Sequence, residues 1–217
     1  MDSHYERLSA LDAAFLDIET PSSHMHVGLM LLFDAGPLKN TEGGLDIKSL
    51  RTFVEARLHH VPRYRQRLAH IPLQRHPVWI DDENFNVNYH VRHTALPRPG
   101  DTRQLKRLLG RINSQKLDRD RPLWEMWFVE GIEGDRFALI GKVHHCMMDG
   151  ASGVDVMAAL LRFDPKVVNL DPAPPWVPRP APSRSALLGQ EIQRHGHRAK
   201  GLWGRLKDLR EDPQGAI

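Results

Sequence analysis

Apolar residues recur at Leu8, Leu11, Phe15 and Ile18, the spacing of one helical face, with Ser9 and Asp12 near the start. This spacing predicts a short amphipathic helix. The run His24 to Phe33 (HMHVGLMLLF) is largely apolar and predicts a strand buried on both faces. Gly36-Pro37 then punctuates the chain. From Asp46 onward, Ile47, Leu50, Phe53, Val54 and Leu58 mark a second helix that ends near Pro62. Val78-Trp79-Ile80 predicts a short strand, and the alternation of Phe85, Val87, Tyr89 and Val91 with polar residues predicts a half-buried one. Leu105, Leu108, Leu109 and Ile112 form one face of a third helix, reaching about Leu117. Two apolar runs, Trp124 to Glu130 and Phe137 to His144, flank "GIEGD" and predict a hairpin with a glycine-containing loop. After it, Ser152 suits a helix cap, Asp155 suits the first turn, and Val156, Met157, Leu160 and Leu161 continue as a buried face.

The pattern changes at Asp171. "DPAPPWVPRPAP" is too rich in proline for a helix or an interior strand and reads as an extended surface linker. Beyond it, Leu187, Leu188, Ile192, Leu202, Trp203, Leu206 and Leu209 mix with Arg184, Arg194, Arg198, Lys200, Arg205, Lys207 and Arg210. That mixture predicts a basic amphipathic helix interrupted at glycines. The expected organisation is therefore a domain over 1–168, a linker over 169–183 and a basic helical segment over 184–217. No internal repeat is visible.

Composition narrows the class. The 217 residues are 41% hydrophobic and 26% charged, a globular balance. The lone Cys146 excludes an intramolecular disulfide and fits a reducing compartment. The N-terminus lacks a basic start followed by a long apolar run, so no secretory signal is expected, and no apolar stretch has membrane-spanning length. A cytoplasmic location follows. The formal net charge of +3 permits contact with anionic ligands or membrane surfaces without calling for nucleic acid.

The chemistry concentrates in "KVHHCMMDG", Lys142 to Gly150, at the end of the hairpin's second strand. Several readings fit its residue types. Two satisfied histidines followed by an Asp-Gly turn is the plainest. A metal site is opposed by geometry, because adjacent strand residues point to opposite faces and both imidazoles cannot easily reach one ion. Cys146 as a nucleophile lacks a nearby activating group beyond His145. The same alternation favours one base. If His145 points into a channel, His144 points into packing. An imidazole, with an intrinsic pKa of about 6.5, can take a proton from a hydroxyl at neutral pH. Asp149 can organise the turn, and Gly150 leaves room for it to be sharp.

His144-His145-Cys146-Met147-Met148-Asp149-Gly150 resembles the HHxxxDG motif of the CoA-dependent acyltransferase superfamily. The flanks "LSALDAAFLDIETPSSHMHVG" and "LDRDRPLWEMWFVEGIEGDRFALIGKVHHCMMDGASG" are similar to the bacterial wax ester synthase/diacylglycerol acyltransferase family, including its Pro122-Leu123-Trp124 motif. The likeness covers most of residues 4–165. It implies an α/β fold, a mixed sheet with flanking helices of the chloramphenicol acetyltransferase type. It also implies O-acyl transfer from acyl-CoA to a long-chain alcohol or diacylglycerol, giving wax ester or triacylglycerol, with no cofactor and no metal.

By position, His145 is the implied general base, His144 its motif partner, and Asp149 and Gly150 shape the loop. Pro122, Leu123 and Trp124 are implied to matter structurally near the active-site tunnel; a strand start with a packed tryptophan is the alternative. His24 and His26 are expected in the core or the tunnel lining. Members of the family have two similar domains with the site between them, and the second domain's Asn-Asp motif is not found here. The resemblance therefore implies an N-terminal half whose partner is the C-terminal half of the same enzyme, with peripheral contact to the inner membrane or lipid droplets. Two other classes stay open: a condensation-type acyltransferase using carrier-protein thioesters, and a non-catalytic lipid-surface binding module.

Overall fold

The computed structural model describes residues 5–148, 174–194 and 196. In chain order the elements are β1 (Glu6–Arg7), α1 (Ala10–Ile18), β2 (His26–Asp34), α2 (Ile47–Arg57), β3 (Gln66–His70) and β4 (Pro77–Asp81). There follow α3 (Val87–His90), β5 (Val91–Ala95), α4 (Thr102–Asn113), β6 (Trp124–Ile132) and β7 (Arg136–His144). A last helix, α5, covers residues 184–194.

The helices start where side chains can satisfy free backbone N–H groups. Ser9 Oγ accepts from Asp12 N at 3.0 Å, and the Asp46 carboxylate accepts from Ser49 N at 3.0 Å. Asp101 and Gln104 form a reciprocal capping box at α4. Caps of this kind are each worth about 1 kcal/mol.

Two sheets form. β2, β7, β6 and β5 pair in that order, antiparallel except for the parallel β5–β6 pair. A parallel pair needs a crossover, and α4 supplies it. The second sheet is antiparallel, in the order β1-β4-β3. The mixed sheet with helices agrees with the expected α/β class; of the small sheet only β4 was foreseen, as the strand at Val78-Trp79-Ile80. Alternation along β6 and β7 splits the core into two layers. Trp124, Met126, Phe128, Phe137 and Leu139 pack with Leu16, Leu58 and Trp79 on one side. Val129, Ala138 and Ile140 pack with Leu105 and Ile112 of α4 on the other. Fully burying a large apolar side chain in such layers contributes about 1.5–3 kcal/mol.

Three expectations need correction. Residues 85–90 are not a strand. Asn86 caps a short turn of helix, its side chain accepting from Asn88 N at 2.9 Å, and the strand begins only at Val91. A local side-chain bond here outcompetes the alternating pattern. β2 is not buried on both faces: it lies at the sheet edge and is mostly half-buried. α4 ends at Asn113 rather than near Leu117.

The expected helix after Ser152 and the basic tail from residue 197 lie outside the described residues. Residues 174–183 contain no helix or strand, and they dock on the domain. Arg179 donates to Asp81 through its backbone N–H at 3.0 Å, Nε at 3.0 Å and Nη2 at 2.9 Å. Burial raises the Asp81 pKa, but the Arg179 contacts outweigh it and hold the carboxyl down at about 2. Leu187 and Glu191 of α5 are buried, and Glu191 pairs with Arg7 of β1.

The hairpin loop rests on a close approach of two glycines. Gly100 has φ +76°, and a Cβ there would lie 1.9 Å from the Gly131 carbonyl oxygen. Gly100→Ala is expected to destabilise by more than the about 1–3 kcal/mol of backbone strain alone. Urea unfolding will measure it, and an unchanged midpoint would contradict this packing.

Candidate active site

β7 ends between two neighbours that pin it. The His144 N–H donates to the Leu123 carbonyl at 2.9 Å, and the His145 N–H donates to the Met25 carbonyl at 2.8 Å. A 3-10 turn, His145–Met147, follows at once. The adjacent histidines therefore face opposite ways. His144 is 1% exposed, and its Nδ1 accepts from the Cys146 N–H at 3.1 Å. His145 is half-buried and stacks on Phe15 of α1, with ring centroids 3.9 Å apart.

His145 lines an open cleft of about 960 Å³. Leu8, Leu11, Phe15, Pro62, Tyr64 and Trp79 are the apolar part of its wall. Arg7, Asp12 and Arg63 add polar groups. Glu6, His60 and Gln66 line it too, so the cleft is mixed, and it suits a ligand that has both an apolar part and a polar or charged part. Leu11 is 68% exposed at this wall.

Pro122, Leu123 and Trp124 do not line the cleft. They brace the histidine turn from behind. The Leu123 carbonyl holds the His144 N–H, and Trp124 Nε1 donates to the Tyr64 carbonyl at 2.8 Å. The Trp124 carbonyl accepts from His90 Nδ1 at 2.9 Å, and the two rings stack with centroids 4.6 Å apart. Asp149 and Gly150 lie outside the described residues. Cys146 is buried beneath the turn, and burial pushes its thiol pKa up to about 12. A thiol in that state is a poor nucleophile.

His24 and His26 sit with His144, away from the cleft. All three rings approach Glu19 Oε1, at 3.9, 3.7 and 3.8 Å respectively. Glu19 ends α1 and is buried. Its other oxygen accepts from Arg119 Nε at 3.1 Å and Nη2 at 2.6 Å, and Lys116 Nζ is 3.2 Å away. Burial raises the Glu19 pKa, but the bonds from Arg119 and Lys116 win, and it lies below the ordinary value. Among the described residues no group of His, Cys, Asp and Glu is arranged to hold a metal ion.

A second buried ion cluster lies alongside. Lys142 Nζ donates to the carbonyls of Ile112 and Gln115 at 3.0 Å each, and Glu125 is 3.3 Å away. It thus binds carbonyls at and just beyond the end of α4, where the helix no longer supplies its regular partners. Burial lowers the Lys142 pKa, opposed by Glu125. Sequence reasoning missed Glu19, Arg119, Lys142 and Glu125 as parts of the site's support. Glu19 and Arg119 do fall inside the two stretches that carry the family resemblance, but no local spacing pairs residues 100 apart.

Burial also holds His26, His90 and His144 at pKa values of about 4. Their folded values lie below the unfolded value of about 6.5. Between these limits the unfolded chain binds more protons, so stability is full above about pH 6.5 and falls as pH drops toward 4. The slope is on the order of 1.4 kcal/mol per pH unit for each histidine. Urea unfolding at pH 7.0, 6.0 and 5.0 is expected to show this decline; a flat profile would contradict neutral burial of the three rings.

Known proteins resemble this chain in sequence and in fold. The wax ester synthase/diacylglycerol acyltransferase catalytic domain matches residues 8–216. A Mycobacterium tuberculosis protein named as a probable diacylglycerol O-acyltransferase, tgs3, is 38% identical over 211 residues, covering 90% of this chain and 74% of its own. The solved wax ester synthase/diacylglycerol acyltransferase of Marinobacter aquaeolei VT8 is 35% identical with a TM-score of 0.55, over 70% of this chain and 37% of that one. The first condensation domain of the calcium-dependent antibiotic synthetase, at 19% identity and a TM-score of 0.58, covers 73% of this chain and 36% of that one, and shares the fold. The chain thus spans about three quarters of the mycobacterial relative and little more than a third of the solved chains.

Proposed function

Because the chain belongs to the wax ester synthase/diacylglycerol acyltransferase family, we propose that it serves fatty acyl transfer from acyl-CoA to the hydroxyl of a long-chain alcohol or diacylglycerol, the last step of wax ester or triacylglycerol biosynthesis. The carrying observation is that His145 alone of the adjacent pair lines the cleft.

In this reading a His145 ring nitrogen takes the proton as the hydroxyl oxygen attacks the thioester carbonyl. The tetrahedral intermediate collapses with cleavage of the C–S bond. The leaving CoA thiolate takes the proton back from the imidazolium, and an ester and free CoA result. The buried, high-pKa thiol of Cys146 disfavours an acyl-enzyme route. His144 stays behind the turn as support, and Asp149 and Gly150 complete the loop. Phe15 holds the His145 ring by stacking, which limits the rotation that would misplace the base.

The cleft is open, and one wall is all this chain is proposed to contribute. Solved relatives extend well beyond the matched length, and polypeptide corresponding to their C-terminal half is the proposed second wall, carrying CoA contacts and an oxyanion donor. Residues 169–183 would begin the crossing. Among the described residues no helix is long and apolar enough to span a membrane. A cytoplasmic enzyme that meets lipid droplets or the inner membrane peripherally fits the apolar Leu11 and Ile18, both exposed on α1.

CoA release from palmitoyl-CoA, with hexadecanol or dioleoylglycerol as acceptor, tests this reading. The chain by itself is expected to be nearly inactive and to gain acyl transfer when the C-terminal polypeptide is added. In that mixture His145→Ala is expected to lower kcat by roughly 10²–10⁴-fold. Activity of His145→Ala equal to the parent would contradict the base assignment.

A further inference from the structure

The buried cluster behind the turn has a donor–acceptor logic that reaches His145. His144 Nδ1 accepts the Cys146 N–H, so the neutral ring must carry its proton on Nε2. That Nε2 is buried, has no hydrogen-bond partner among the described residues, and lies 3.8 Å from Glu19 Oε1. A carboxylate can only accept, so it favours a proton on the nitrogen that faces it.

Glu19 is itself held from the far side. Arg119 grips its Oε2 and, through Nη2, also donates to the Leu16 carbonyl at 2.7 Å. The carboxylate is therefore fixed between the end of α1 and the segment before β6. His24 Nδ1 and His26 Nε2 face the same Oε1. The His24 ring is turned by its own bond from Nε2 to the Ser114 carbonyl at 3.0 Å.

We propose that Glu19 is a positioning residue: it sets the Nε2–H tautomer of His144, and that tautomer keeps the Cys146 N–H bond that shapes the turn presenting His145. The inference rests on the acyltransferase reading for its kinetic consequence and on geometry alone for its structural one.

Glu19→Gln provides an isosteric test. If the Gln oxygen stays on Arg119, its NH2 group faces His144 Nε2. A donor there favours a proton on Nδ1, which removes the acceptor that Cys146 N–H needs. Glu19→Asp keeps an acceptor and should keep the tautomer. Imidazole 15N spectra of the purified chain are expected to show His144 as Nε2–H in the parent and in Glu19→Asp, and as Nδ1–H in Glu19→Gln. In the reconstituted acyl-transfer assay, Glu19→Gln is expected to lower kcat about 10- to 100-fold with KM changed less than about threefold, and Glu19→Asp to recover most of it.

An Nδ1–H tautomer in the parent chain overturns the proposal without any variant having to fold. So does a folded Glu19→Gln that keeps the Nε2–H form, whatever its kcat. The predicted tautomer change in a protein that shows no acyl transfer with either acceptor would support the role of Glu19 and defeat the functional reading instead.

Discussion

Two backbone hydrogen bonds decide which way the two adjacent histidines face. The N–H groups of His144 and His145 are consecutive, and they point to different neighbours, Leu123 before β6 and Met25 before β2. Because the strand is held on both sides to its last residue, its side chains must keep alternating there. One imidazole is driven into the α4 layer and the other into the layer that opens on the cleft. A slip of one residue in this register would exchange them. The cleft, the stacking of Phe15 on His145 and the brace from Leu123 and Trp124 all presuppose that register.

The register has a cost, because it buries polar side chains. His144 and His26 are nearly inaccessible, as are Lys142 and Glu125. A buried ion is tolerated only when it is paired and hydrogen-bonded. Here the ions Glu19, Lys142 and Glu125 each have such partners. Arg119 and Lys116 keep Glu19 ionised, and Lys142 uses its charge on the carbonyls at the end of α4 while facing Glu125. These contacts join α1, α4, β2 and β7, the elements that surround the turn. Removing one member would strand the others, so the histidine turn and the fold beneath it are energetically coupled.

Much of this was legible in the sequence where a signal is local. Ser9 with Leu11 and Phe15 announced α1, the Leu105 to Ile112 stripe announced α4, and the apolar runs around "GIEGD" announced the hairpin. The opposition of His144 and His145 followed from strand periodicity alone. The rest depends on contacts distant in sequence or on competition that a pattern does not reveal. β1 has two residues and cannot show a period, while β3 (QRLAH) carries too few apolar residues to stand out. The alternation of Phe85, Val87 and Tyr89 was overruled by the Asn86 cap and by stacking of Phe85 on His90. Nothing local indicates that Glu19 meets Arg119 or that Lys142 ends α4. For Asp149 and Gly150, which complete the motif, the roles remain those implied by the resemblance.

The claim that joins fold to function is that, of two adjacent histidines, only His145 is open to the cleft and to substrate. Carbethoxylation with diethylpyrocarbonate, mapped by tandem mass spectrometry that resolves the two positions, tests it directly. The account predicts rapid modification of His145, slow modification of His144, and protection of His145 by palmitoyl-CoA once the C-terminal polypeptide is present. Equal labelling of the two rings in the folded chain, or preferential labelling of His144, would contradict it.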